Sequence, residues 1–122
     1  MSATAQQLYN ICDGTWPAAA TKRLGPWTLR DGQGGGKRVS AATAEGPVQK
    51  TDIHVAEVAM QNMGQTPLFM IREGDEALDQ LLESHGYEVV DPVVMYSISV
   101  DALTWIEIPR VTTFCVWEPL AI

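Results

Sequence analysis

The sequence predicts an α/β domain of the α+β kind, a mixed and largely antiparallel sheet flanked by helices. Three observations lead there. Residues 51–100 alternate helix-period and strand-period segments, the order that lays helices over a sheet. Residues 26–45 hold two strand-like runs around a glycine-rich stretch, the pattern of an antiparallel hairpin. The chain has 122 residues, 46% hydrophobic and 19% charged. That suits a single domain, burying about 65–70% of its unfolded surface with no disulfide or metal to staple it.

In chain order, residues 3–12 carry Leu8, Ile11 and Cys12 at helical spacing behind Ser2 or Thr4 as cap. Asp13-Gly14 ends that helix. Thr15 caps a second one, with Pro17 in its first turn and the alanines at 18–20 propagating it. Residues 1–24 thus read as N-terminal helices, closed by the Gly25-Pro26 break. Trp27 and Leu29 alternate with Thr28 and Arg30, a strand signature. Residues 31–36 are turn material, and residues 37–44 form the second strand of the 26–45 hairpin.

A unit of helix, strand, helix and strand occupies residues 51–100. Thr51 or Asp52 caps a helix running to Met63, with Ile53, Ala56, Met60 and Met63 along one face, and Gly64 stops it. The run PLFMI at 67–71 fits a strand buried on both faces. Asp75 caps a helix with Leu78, Leu81 and Leu82 inward, which Gly86 ends. Residues 87–100 form a long strand bent at Asp91-Pro92. Residues 101–105 make a short helical turn, and residues 112–117 a last strand.

Charge and cysteines bound the function. The net charge is −7, from 15 Asp and Glu against 8 Lys and Arg. Such a balance disfavours nucleic acid and anionic membrane as partners. The cations are unevenly placed: Lys22, Arg23, Arg30, Lys37 and Arg38 fall in the first third. That patch suits a small anionic ligand or a solvated face. Cys12 and Cys115 lie in apolar patterns far apart, without the clustering of a zinc site, and read as buried thiols of a reducing compartment. MSATAQQLYN has no basic region followed by an apolar run, and no segment approaches the ~20 apolar residues of a membrane span. The expectation is a cytoplasmic protein.

The motifs offer little chemistry by themselves. DGQGGGKRVS at 31–40 looks like a phosphate loop, but Gly32 to Gly36 is one residue short of the Walker spacing. Arg38 stands where the magnesium-binding hydroxyl belongs, and a strand rather than a helix comes next. A hairpin turn is the plainer reading. His54 and His85 suit surface or capping roles. Ser40, Ser97 and Ser99 lack the context of a hydrolase nucleophile. Glu45 and Glu57 are acid/base candidates whose default is a surface carboxylate. The four tryptophans, Trp16, Trp27, Trp105 and Trp117, suit the edges of a core.

Two segments carry a family resemblance. Residues 77–99, ALDQLLESHGYEVVDPVVMYSIS, resemble the last helix and following strand of the GNAT superfamily of N-acetyltransferases, with Gly86-Tyr87 as the Gly-aromatic pair. Residues 15–42 resemble the N-terminal half of two-part GNAT proteins. The Trp-x-Leu-Arg strand falls on Trp27, Leu29 and Arg30, and the second strand on Arg38 and Ser40. Here the pattern Arg-x-Asn-Ser is replaced by Arg38-Val39-Ser40. The resemblance covers roughly residues 15–100. It implies a GNAT-like fold and, for the complete protein, transfer of acetyl from acetyl-CoA to an amine.

Active members hold the pyrophosphate on an Arg/Gln-x-x-Gly-x-Gly/Ala loop at a helix N-terminus. The matching segment is EGPVQKTDIHV at 45–55, with one glycine, a proline, and Asp52 near the helix start. A carboxylate there competes with pyrophosphate, so this chain is expected to bind no acetyl-CoA itself and to be noncatalytic alone. FCVWEPLAI at 114–122 is apolar, as if the strand continued into a catalytic half. The resemblance implies a C-terminal catalytic GNAT domain, or a homodimer partner, packed against this chain. A standalone binding or dimerisation module and a complete divergent acetyltransferase remain as alternatives. The expected ligand or partner surface is Trp27, Arg30, Lys37, Arg38 and Ser40, with no metal and no catalytic base assigned.

Overall fold

The computed structural model describes residues 3–99 and 101. Its elements run α1 (Ala5–Thr15), β1 (Ala20–Leu24), β2 (Trp27–Asp31), a 3-10 turn (Lys37–Val39), β3 (Thr43–Ala44), α2 (Lys50–Asn62) and α3 (Glu76–Ser84). The three strands form one antiparallel sheet in the order β1-β2-β3. The fold is therefore α+β. The expected last strand, its Cys115, and the nearby Trp105 and Trp117 lie outside the described residues, as does most of the helical turn expected over 101–105.

The N-terminal region corrects the sequence reading. Thr4 caps α1 with a reciprocal box: its hydroxyl accepts from Gln7 N, and the Gln7 side chain accepts from Thr4 N. Asp13-Gly14 does not end the helix, which runs on to Thr15. The Thr15 hydroxyl caps nothing downstream; it donates back to the Ile11 carbonyl at 2.8 Å. Pro17 then disfavours helical geometry at Trp16. The next element is not a second helix but β1, because residues 20–24 find a hydrogen-bonded partner in β2. The connection is two residues, Gly25-Pro26, with Leu24 facing Trp27. Gly25 has φ 55°, the backbone sign a two-residue hairpin needs at its first position.

The second hairpin strand is shorter than expected. Residues 37–39 form a 3-10 turn, and only Thr43 and Ala44 pair with β2, opposite Thr28 and Trp27. Backbone bonds within the turn, Val39 N to Gly36 O and Ala41 N to Lys37 O, take up the groups a ladder would have used. The glycines make the tight approach possible. A Cβ on Gly35 would stand 2.7 Å from Val39 Cγ2 and 2.9 Å from Gly32 O.

α2 and α3 cover the sheet. Trp27, Leu29, Ala42, Ala44, Ile53, Ala56, Met60, Leu78 and Leu82 form the core. The Trp27 indole N–H, fully buried, donates to Asp52 O at 2.9 Å. α2 begins at a Gln49 cap rather than at Thr51 or Asp52; Asp52 is the reciprocal partner in its box. Asp75 stands at the N-cap of α3 without a side-chain capping bond, its carboxylate accepting from Arg72 N instead.

Both helices end in the same way. Gly64 N and Gln65 N bond back to Gln61 O and Met60 O, while Gly86 N and Tyr87 N bond back to Glu83 O and Leu82 O. Each ending returns the next residue to the core. The Gln65 amide clamps the end of β2, accepting from Gly32 N and donating to Arg30 O, both at 2.8 Å. Tyr87 packs edge-on against Phe69, which packs against Trp27.

PLFMI, read as a strand buried on both faces, makes one parallel bridge, Phe69 beside Ala42. None of its residues is fully buried. The segment expected as a long strand shows no strand over residues 87–99. Asp91-Pro92 interrupts the run, and Val89, Val90, Val93, Val94, Tyr96 and Ile98 are exposed.

Candidate functional site

A groove of about 1380 Å³ opens among the described residues. α1 forms one wall through Leu8, Tyr9 and Cys12. Arg30, Thr43 and residues 68–72 contribute sheet-side groups, and Tyr87 with residues 88–95 closes another side.

The polar groups around this groove form a connected cluster. Arg30 is 5% exposed, so its charge needs partners in place of water. Its Nε and Nη2 donate to the two carboxylate oxygens of Asp13 on α1, at 3.2 and 3.0 Å. Its Nη1 donates to Ala41 O at 3.1 Å and to Thr43 Oγ1 at 2.9 Å. The Thr43 hydroxyl donates to Glu45 Oε1 at 3.1 Å. Arg72 Nη2 lies 3.8 Å from that same oxygen and donates to Ala44 O. Arg72 Nε lies 3.6 Å from Asp75 Oδ2. The Arg72 guanidinium sits over the Tyr9 ring, 5.8 Å from its centre.

Two guanidiniums thus face three carboxylates across the β3 strand. The arrangement ties α1, β2, β3 and the approach to α3 together. Glu45 is held by Thr43 and Arg72, so this acid/base candidate is engaged within the fold.

The structure does not gather the five residues expected to form a ligand surface. Trp27 is wholly inside the core. Arg30 is a clamp with its donors committed to Asp13, Ala41 and Thr43. Lys37 Nζ meets Asp91 at 2.5 Å. Arg38 lies over the exposed Trp16 ring, 5.7 Å from its centre; Trp16 thus stands outside the core edge expected of it. The Ser40 hydroxyl donates to Gly36 O at 3.1 Å. Arg30 and Arg38 do not sit on neighbouring strands, because Arg38 belongs to the 3-10 turn. Sequence reasoning does not single out Asp13, Tyr9, Thr43 or Arg72 for this cluster. Arg72 carries a signal: a lone cation directly after an apolar run, where a charge enters the fold and needs partners.

A second titratable group joins α2 to the end of α3. The Tyr87 hydroxyl donates to Glu57 Oε1 at 2.6 Å, and Glu57 Oε2 lies 3.6 Å from His54 Nδ1. Burial, and then the hydrogen bond and negative charge of Glu57, push the Tyr87 hydroxyl well above its ordinary range. Glu57 is thereby occupied as an acceptor.

The segment matched to the coenzyme loop ends at a closed helix start. Asp52 Oδ2 accepts from Gln49 N at 2.8 Å, and the Asp52 amide donates to the Gln49 carbonyl at 3.0 Å. Among the described residues, no group of three His, Cys, Asp or Glu is placed to hold a metal ion. No helix among them is long and apolar enough to cross a membrane. No protein-family model matches the chain, and comparison with curated proteins and with solved structures returned no match.

Proposed function

We propose that the chain is a GNAT-like domain of an N-acetyltransferase, noncatalytic by itself, working in the cytoplasm. In this reading the complete protein transfers acetyl from acetyl-CoA to an amine, and a catalytic GNAT domain packs against this chain. The observation that carries it is the path after the antiparallel sheet. The chain leaves β3, passes through α2, returns parallel to the residue before β3 at Ala42–Phe69, and enters α3. That helix, bridge and helix order agrees with part of what the resemblance implies; the strand it implies after Gly86-Tyr87 is not formed over residues 87–99.

The start of α2 supports the noncatalytic half of the reading. The amides of Gln49 and Asp52 already have acceptors in each other, and the Asp52 charge opposes a pyrophosphate. The test is calorimetric titration with acetyl-CoA. The natural chain is expected to bind no tighter than millimolar, and micromolar binding overturns the noncatalytic reading. A variant carrying Glu45→Arg, Val48→Gly, Lys50→Gly and Asp52→Ala rebuilds the glycine loop. If it folds, by its circular dichroism, and still binds no coenzyme, the GNAT-like reading loses its main support.

A second reading, a binding or self-associating module, is favoured by one observation. The stretch around Pro92 exposes Val89 at 79% and Tyr96 at 91%, with Val93, Val94 and Ile98 beside them. Sedimentation velocity tests it: a monomer up to high concentration removes the self-associating form.

A further inference from the structure

We propose that α1 is a detachable strap, fastened over one wall of the groove by the Asp13–Arg30 ion pair, which lifts while the sheet and α2 stay folded. The proposal stands without the acetyltransferase reading. α1 spans eleven residues; none is fully buried, and only Ala5, Leu8, Tyr9 and Cys12 are half-buried. Beside that partial apolar cover it has polar fastenings. Asp13 grips Arg30 through two hydrogen bonds. The Tyr9 hydroxyl accepts from Glu73 N at 2.8 Å, and the Tyr9 ring lies under Arg72.

The latch is accessible from two sides. Both Asp13 and Arg30 line the large groove and also a separate recess of about 460 Å³. The Asp13 side chain is 51% exposed while that of Arg30 is 6% exposed. Water and salt therefore reach the carboxylate and compete for it. Releasing Asp13 leaves Arg30 bonded to Ala41 O and Thr43 Oγ1, so the core keeps two of the bonds that hold this arginine. The hinge is short. α1 ends at Thr15, and by Ala19, whose N–H donates to Asp31 O, the chain has joined the hairpin. An isolated helix of this length is marginal in water, so the lifted strap loses its helix and its protection together.

Hydrogen exchange on the whole chain tests this. In the natural protein, the α1 amides are expected to exchange faster than those of β2 and α2. Asp13→Asn is expected to speed exchange in α1 by about tenfold, the scale of one charged hydrogen-bonded contact, while leaving α2 unchanged. Tyr9→Phe should act in the same direction and more weakly. In a Cys115→Ser background, thiol labelling of Cys12 should accelerate in Asp13→Asn. In the chain that keeps Asp13, it should rise with added sodium chloride. Exchange of α1 and α2 in step, as one cooperative unit, overturns the proposal. So does an Asp13→Asn chain that fails to fold, or one whose α1 exchange is unchanged.

Discussion

α1 and α2 begin alike and end up holding the fold very differently. Each starts with a reciprocal capping box, Thr4 with Gln7 and Gln49 with Asp52, and each shows in the sequence through its apolar periodicity. Yet α2 fully buries Ile53, Ala56 and Met60, whereas α1 fully buries no residue and only half-buries Ala5, Leu8, Tyr9 and Cys12. Capping decides where a helix starts; burial against a partner decides how firmly it is held. Residues 26–86 are tied by apolar packing around Trp27, whereas α1 is tied by Asp13 and Tyr9. Substitutions should separate the two regions cleanly.

The largest effect is expected at Trp27. Its ring touches Phe69, and its N–H satisfies Asp52 O at the start of α2. Trp27→Ala removes both and leaves a cavity, at a cost of about 3–5 kcal/mol. Urea denaturation followed by far-UV circular dichroism reads this as a large fall in midpoint. A loss below about 1 kcal/mol would place the packed centre of the molecule elsewhere.

Gln65 comes next. Its amide serves Gly32 N and Arg30 O at once, and both lie where water has poor access. Gln65→Ala should cost about 1–3 kcal/mol by leaving them without partners. Gln65→Glu keeps the acceptor and loses the donor, so it should fall between the two in the same denaturation series.

The core half of the fold is legible because its signals are local. Ile53, Ala56 and Met60 repeat at helical spacing, Gly64 and Gly86 mark the helix ends, and Trp27 with Leu29 alternates as a strand residue pair must. The misreadings share another cause. The alanines at 18–20 are good helix formers, but β2 offers an antiparallel partner, and pairing is not written in the pairing residues' own propensities. Residues 37–40 look β-prone and instead turn, because the Gly35–Val39 contact closes a loop there.

The candidate site is the least legible part. Arg30 reads as a free cation in the sequence, and it is a buried one. Its partner Asp13 is seventeen positions away and reads as a helix stop. Contacts of that separation leave no mark on either segment alone.

Tyr87 gives a smaller effect, read through pH. In the folded chain its hydroxyl is raised above the ordinary 10.0 by burial and by Glu57. Unfolded, it ionises near that value. Above about pH 10 the unfolded chain therefore releases a proton that the folded chain retains. The stabilisation is complete below that pH and drains away as pH climbs. Tyr87→Phe should remove this part of the alkaline decline. The stability difference between the natural protein and the variant should narrow from about pH 8 to about pH 11. A constant difference across that range would show that folding does not raise the hydroxyl.

The smallest effect belongs to α1, and its smallness is the point of the comparison. Ile11 is 56% exposed on that helix, although its spacing with Leu8 marks it as an inward residue in the sequence. In α2, the equivalent stripe residue Ile53 is fully buried. Ile11→Ser should therefore change global stability by no more than about 0.5 kcal/mol. Ile53→Ser should cost several kcal/mol, because it removes buried apolar atoms and places a hydroxyl in the core. Matched urea titrations of the two variants compare the regions directly. Equal losses would mean that α1 shares the cooperative core after all, and that the apolar stripe, not the Asp13–Arg30 pair, is what holds it down.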